Sequence, residues 1–128
     1  MTPSDRTPQD DLIDQRELAK AIRLGSLRRP QCFGSYFDDR GGSCALGAAY
    51  DGMYELPRQE KEQGEIVPRH LERLFHCLED VVKRCPEECR KRLPLGSMIV
   101  HLNDDHGWSR EQIAEWLSNG APSARTTS

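Results

Sequence analysis

The amino-acid sequence predicts a mainly helical single domain with four or five helices, and it allows one short β-hairpin. Apolar residues recur at helical spacing in several separate segments, and glycine and proline residues divide these segments from one another. The chain has 128 residues, which suits one domain of ordinary size. We expect the helical domain to span residues 10–120, between a disordered arm at residues 1–9 and a flexible tail at residues 121–128.

The first helix is predicted to begin at Asp10 or Asp11, either of which can cap it, and to end between Gly25 and Pro30. An extended piece with Cys32 and Phe37 should follow, and then a turn at the letters DDRGG. Ser43 is the predicted cap of the next helix. The small residues of its sequence CALGAA permit a close approach between backbones.

A third helix is predicted from Pro68 to Cys85, where Pro86 ends it. Its apolar stripe consists of Leu71, Leu74, Phe75, Leu78, Val81 and Val82.

The C-terminal segment carries the clearest boundary signals. A helix should begin near residues 96–97 and end before Gly107, which suits a left-handed backbone position. Ser109 and Gln112 have the spacing of a capping box, so a last helix should begin there and end at Gly120.

Charge and composition exclude some classes of function. The chain carries 18 basic and 21 acidic residues, which argues against a non-specific nucleic-acid coat protein but allows a local basic patch. Its apolar runs are too short to span a membrane, and the polar N-terminus does not resemble a signal peptide. The five cysteines form an odd set, which is typical of a reducing compartment, so we expect a cytoplasmic protein.

Two cysteines and two histidines follow a metal-binding spacing. Cys85, Cys89, His101 and His106 give the pattern C-x3-C-x11-H-x4-H, close to that of two-cysteine, two-histidine zinc sites. We therefore predict a zinc-knuckle-like segment at residues 85–106. Five helical residues turn through about 500°, so the two imidazoles would diverge by about 140° unless the helix loosens before the second.

One further feature of this segment departs from a free-standing finger. Pro94 and Gly96 stand where a finger has its second strand, and we expect them to replace it. The alternative interpretation of the four residues is a metal-free helical cluster, with Cys85 ending an apolar stripe and Cys89 in a loop. His76 or Cys77 could serve as a substitute ligand.

The other chemically active groups carry weaker signals. Cys32 and Cys44 flank the DDRGG turn, either as a facing hairpin pair or as core residues, and Cys44 with a histidine could form a nucleophilic pair. The acidic pairs at residues 38–39 and 104–105 fit helix ends or turns better than acid–base catalysis.

A short basic run follows the second cysteine. Arg90, Lys91 and Arg92, together with Arg110 on the last helix, form a candidate surface for nucleic acid or another partner. The last two helices resemble a helix-turn-helix, but Glu111 would lie among the groups that face DNA. We therefore expect a protein partner rather than nucleic acid, and no membrane.

The blocks CALGAAYDG (residues 44–52) and IVHLNDDHGWSREQIAEWL (residues 99–117) resemble a family of small uncharacterised proteins found in bacterial and tailed-phage genomes. Some similar proteins carry a cysteine pair upstream of the second block. The resemblance implies ligands at Cys85, Cys89, His101 and His106, and it implies no activity.

The favoured function is a non-enzymatic module in which a structural zinc fixes the C-terminal helices and an exposed surface binds a partner. The alternatives are a small enzyme that uses Cys44 or an open metal site, and a metal-free helical adaptor or phage accessory protein.

Overall fold

The computed structural model describes residues 7–54 and 75–123, which are mainly helical with one antiparallel hairpin. This confirms the predicted fold class. The elements in chain order are α1 (Pro8–Ser26), α2 (Ala45–Tyr54), α3 (Cys77–Asp80), β1 (Val82–Arg84), β2 (Arg92–Pro94), α4 (Leu95–Asp104) and α5 (Arg110–Ser118). No helix in the two described ranges is long and apolar enough to cross a membrane.

Helix α1 begins at Pro8, two residues before the predicted start and inside the segment assigned to the arm. Thr7 is its N-cap and forms a capping box with Asp10, so Asp10 lies in the first turn and is not the cap itself. Pro8 fits the first helical position, where its missing N–H would have had no partner. The rest of the predicted arm, residues 1–6, lies outside the described residues.

Helices α1 and α2 pack with their backbones in contact. A Cβ on Gly25 would overlap the carbonyl oxygen of Ala48, and a Cβ on Gly52 would overlap that of Ala21. A Cβ on Gly47 would meet the carbonyl oxygen of Tyr36 in the same way. The close approach predicted for the small residues of α2 is therefore confirmed. Their buried neighbours join one hydrophobic core with α4 and α5.

Within the described residues, the predicted third helix is wrong beyond Asp80. Helix α3 ends at Asp80, Val81 has extended backbone angles, and Val82–Arg84 is the strand β1. The apolar periodicity there reflects a short helix, with Cys77 and Leu78 in the core, followed by a strand whose Val82 is exposed. The part of the prediction at residues 68–74 lies outside the described residues.

Strand β1 pairs with β2 in the register Val82–Pro94, Lys83–Leu93 and Arg84–Arg92. The expectation that Pro94 replaces a second strand is therefore wrong. The bonds flanking this pair run from Leu95 N to Val81 O and from Cys85 N to Lys91 O, both at 2.7 Å. Hydrogen-bonded and non-hydrogen-bonded pairs alternate along an antiparallel ladder, so the Pro94 nitrogen points away from β1. Its missing N–H therefore removes no hydrogen bond between the two strands.

The C-terminal boundary predictions are confirmed. Gly107 has a φ of +66°, and Ser109 caps α5 in a reciprocal box with Gln112. Gly120 follows the helix with a φ of +89°. The chain then packs back, because Ala121 N donates to Trp116 O at 2.8 Å. Residues 124–128 of the predicted tail lie outside the described part.

Asn103 joins α4 to the loop before α2. Its side-chain amide makes four hydrogen bonds, two accepted by Oδ1 and two donated by Nδ2. Its Oδ1 accepts from Gln31 Nε2 at 2.8 Å and from the backbone N–H of Ala45 at 3.2 Å. Its Nδ2 donates to Cys32 O at 3.1 Å and to Asp104 Oδ1 at 2.7 Å. This fully buried amide supplies a partner for a first-turn N–H of α2, and it fixes the position of α4 against the loop.

Helix α2 begins at Ala45, two residues after its predicted cap Ser43. Cys44, not Ser43, directly precedes α2, and its Sγ accepts from Gly47 N at 3.4 Å. Ser43 instead lies between two neighbouring segments, since its N–H donates to Pro30 O and its Oγ accepts from Arg110.

Candidate metal centre

The β1–β2 hairpin and α4 bring the four predicted ligands together. Cys85 directly follows β1, Cys89 lies in the hairpin loop, His101 is on α4, and His106 follows the end of that helix. One potential ligand atom from each residue takes part, and all four atoms lie within 4.8 Å of one another. The group could hold a metal ion.

Four of the distances between these atoms resemble the edges of a coordination tetrahedron. His106 Nε2 lies 3.1 Å from His101 Nε2, 3.4 Å from Cys89 Sγ and 3.6 Å from Cys85 Sγ. Cys89 Sγ lies 3.2 Å from His101 Nε2. Zinc–nitrogen bonds of about 2.0 Å and zinc–sulfur bonds of about 2.3 Å give tetrahedral edges of about 3.3 to 3.8 Å. Four of the six edges therefore lie within a few tenths of an ångström of the values for one zinc ion, and the other two are at most 4.8 Å long.

The second histidine reaches the cluster because the helix ends before it. Helix α4 stops at Asp104, and the N–H of His106 donates to His101 O at 3.3 Å, a spacing of five residues instead of four. The widened turn brings the two imidazoles to a centroid distance of 4.6 Å with planes at 85°. The predicted loosening of the helix at this point is confirmed.

The two thiols have different surroundings. Cys89 is exposed, and hydrogen bonds from the backbone N–H of Lys91 and from both histidines lower its pKa to about 6. Cys85 is buried, and this burial raises its pKa although the N–H of Glu87 donates to it. In both cysteines the sulfur accepts a hydrogen bond from the backbone N–H two residues later. Arg90 supplies the left-handed turn after Cys89, with a φ of +57°.

A carboxylate supports one of the imidazoles from outside the cluster. His101 Nδ1 lies 2.7 Å from Asp105 Oδ2, one helical turn later. With a metal ion bound, a proton held at Nδ1 by this carboxylate would leave the Nε2 lone pair of His101 facing the ion. Sequence reasoning assigned Asp105 only to a helix end. The spacing of four residues from a candidate ligand was the signal that could have identified its role.

A second link ties the hairpin loop to the C-terminal segment. Trp108 Nε1 donates to Glu87 Oε2 at 2.7 Å, so the loop that carries both cysteines is anchored to the residue after Gly107. This contact joins positions 21 residues apart, and sequence spacing gives no signal for it.

The substitute ligands lie elsewhere. Cys77 is fully buried at the start of α3, and its backbone N–H donates to Asp14. His76 is exposed beside it. Neither residue belongs to the group of metal-binding side chains found within residues 7–54 and 75–123.

The other thiols are buried in the core. Burial raises the pKa of Cys44, and burial followed by the charge of Asp38 raises the pKa of Cys32 to about 11. A raised pKa opposes nucleophilic chemistry, which needs the thiolate. The surroundings of Cys44 therefore favour a packing role over a catalytic one.

The predicted partner surface divides into two parts. Arg90, Lys91 and Arg92 are exposed on the hairpin. Arg110 is only 9% exposed and donates to Ser43 Oγ at 3.0 Å. The assignment of Arg110 to an exposed surface is therefore wrong, because its guanidinium links α5 to the start of α2 inside the protein.

The site and fold together define a ββα unit with a cysteine pair in its hairpin and a histidine pair at the end of its helix. This unit is built into a larger helical domain. The chain matches no protein-family model, no curated protein and no solved structure.

Proposed function

We propose that this protein binds one zinc ion through Cys85, Cys89, His101 and His106. The observation that carries the proposal is the set of ligand-atom distances, which approach the edges of a zinc tetrahedron. Two thiolates and two imidazoles are donors that suit zinc. Calcium and magnesium favour oxygen donors instead. The carboxylate–histidine contact of Asp105 adds the supporting partner common at such sites.

The zinc would have a structural role. Four protein ligands complete a tetrahedral shell, whereas a catalytic zinc keeps one position for water or substrate. The ion would fasten the hairpin loop to the end of α4, and its binding free energy would add to the stability of the fold. The protein would then act as a non-enzymatic module that presents its hairpin to a partner.

Metal analysis of the untagged protein tests the proposal. We expect about one zinc per chain in the natural protein and in His76→Ala, whose exposed imidazole lies outside the cluster. We expect almost none in His106→Ala and Cys89→Ser. A strong chelator should lower the melting temperature of the first two proteins and leave the other two unchanged. Cobalt substitution should give the intense visible bands of a tetrahedral thiolate site.

Equal zinc content in the natural protein and His106→Ala would contradict the ligand assignment. A weak cobalt spectrum typical of five or six ligands would contradict the closed structural shell, and it would favour the alternative of an open catalytic site.

A further inference from the structure

The outer face of the hairpin holds two arginines in an unfavourable arrangement. The register places Arg84 directly opposite Arg92, on the same face as Val82 and Pro94. The pair lies between two hydrogen-bonded pairs of the ladder, a position that brings opposing side chains close together. Like charges at such a position destabilise a sheet. Within the described residues neither arginine has a hydrogen bond or ion pair.

The opposite face of the hairpin is already used by the fold. Leu93 packs against the hydrophobic core, and Lys83 Nζ donates to Gly120 O at 3.2 Å. The outer face therefore has a composition that core packing does not explain. Residues 82–94 contain five basic and two acidic residues, although the whole chain has a net charge of −3. One of the two acidic residues, Glu87, is bonded to Trp108.

We propose that Arg84, Lys91 and Arg92, here called the hairpin patch, bind the phosphate backbone of a nucleic acid. The inference deepens the proposed function, since the zinc would hold the hairpin in the orientation that presents the patch. A phosphate between Arg84 and Arg92 would remove their repulsion, and guanidinium groups bind phosphate in a two-pronged geometry. Lys91, exposed beside Arg92, would extend the contact along the backbone.

The hairpin patch fits nucleic acid better than an acidic protein surface. Protein interfaces take most of their binding energy from a few residues, among which the large aromatic anchors tryptophan and tyrosine stand beside arginine. Val82, at 50% exposure, is the only large exposed hydrophobic residue described on this hairpin. Phosphate binding requires only well-placed cations. The last helix is the wrong element for this role, because its Arg110 is buried and its exposed residues include Glu111 and Glu115.

Fluorescence anisotropy with the zinc-loaded full chain and a labelled oligonucleotide, as single strand and as duplex, tests the proposal. The double variant Arg84→Gln/Arg92→Gln should bind at least about tenfold more weakly at low salt, and its salt slope should be smaller by about two. The control variant Lys20→Gln/Arg40→Gln removes the same charge from two exposed cations on other elements. It should keep the affinity within about twofold.

Three results would overturn the proposal: no binding of the natural protein at low salt, equal loss in both double variants, or displacement of the oligonucleotide by an equal charge concentration of polyglutamate. The last result would assign the patch to an acidic protein surface. Zinc content measured on the same samples separates the two proposals. Absence of zinc with patch-dependent binding refutes only the structural metal, whereas bound zinc without binding refutes only the nucleic-acid partner.

Discussion

Replacing Asn103 by alanine should destabilise the protein far more than removing the side-chain amide of an exposed asparagine. The side chain is fully buried and makes four hydrogen bonds. Gln31 keeps a second partner in Trp108 O, and Asp104 Oδ1 keeps Gly34 N. The bonds to the Ala45 N–H and the Cys32 carbonyl would be lost.

The expected magnitude follows from those two backbone groups. Leaving a buried polar group without a partner costs about 1 to 3 kcal/mol, so the pair accounts for about 2 to 6 kcal/mol. We expect a loss of about 4 kcal/mol in the free energy of unfolding, which is a large part of the 5 to 15 kcal/mol typical of a domain.

Urea unfolding followed by circular dichroism, with zinc held constant, measures this loss. The urea midpoint should fall while the slope of the transition stays the same, since the surface exposed on unfolding does not change. Asn119→Ala is the matched control, because Asn119 is exposed at the end of α5. A loss below about 1 kcal/mol for Asn103→Ala, or a loss equal to that of the control, would refute the reasoning.

Three further measurements test the site and its surroundings. Asp105→Ala should weaken zinc binding by about 10- to 100-fold in competition with a coloured chelator, because His101 loses its supporting carboxylate; Asp80→Ala, at an exposed carboxylate on α3, should leave the affinity unchanged. In the metal-free protein, iodoacetamide should label Cys89 first at pH 7, because its pKa is lowered to about 6, whereas Cys32 is buried with a pKa of about 11. Labelling of Cys89 should slow as the pH falls through 6, because the thiolate becomes protonated, and mass spectrometry that finds equal labelling of both cysteines at pH 7 would contradict this order. Ser109→Ala should lower the free energy of unfolding by about 1 kcal/mol, and a neutral result would show that the capping box contributes nothing.

Features set by neighbouring residues could be predicted from the sequence. The end of α4 at a left-handed Gly107 and the start of α5 at Ser109 depend on contacts within a few residues. The same holds for the ligand spacing, which alone predicts that Cys85 and His106 belong to one group.

Features set by distant residues could not be predicted. Val81 and Val82 fit a helical stripe, but pairing with residues 92–94 makes this segment extended. A short run of β-branched residues fits either a helix or a strand. In such a run, pairing with a distant strand overrides the local periodicity. The burial of Arg110 is a similar case, because its acceptor Ser43 is 67 residues away.

The position of the cluster along the chain also has a consequence for the order of folding. All four candidate ligands lie between residues 85 and 106, so a bound ion closes only short loops, whose entropic cost is small. The contacts that hold α1 to α5 join residues much farther apart, such as Arg23 with Glu111, at a separation of 88 positions. We therefore expect the ββα unit to form first when metal is present and to provide the surface on which the N-terminal helices assemble. The supply of metal during synthesis would then set how quickly the whole domain folds.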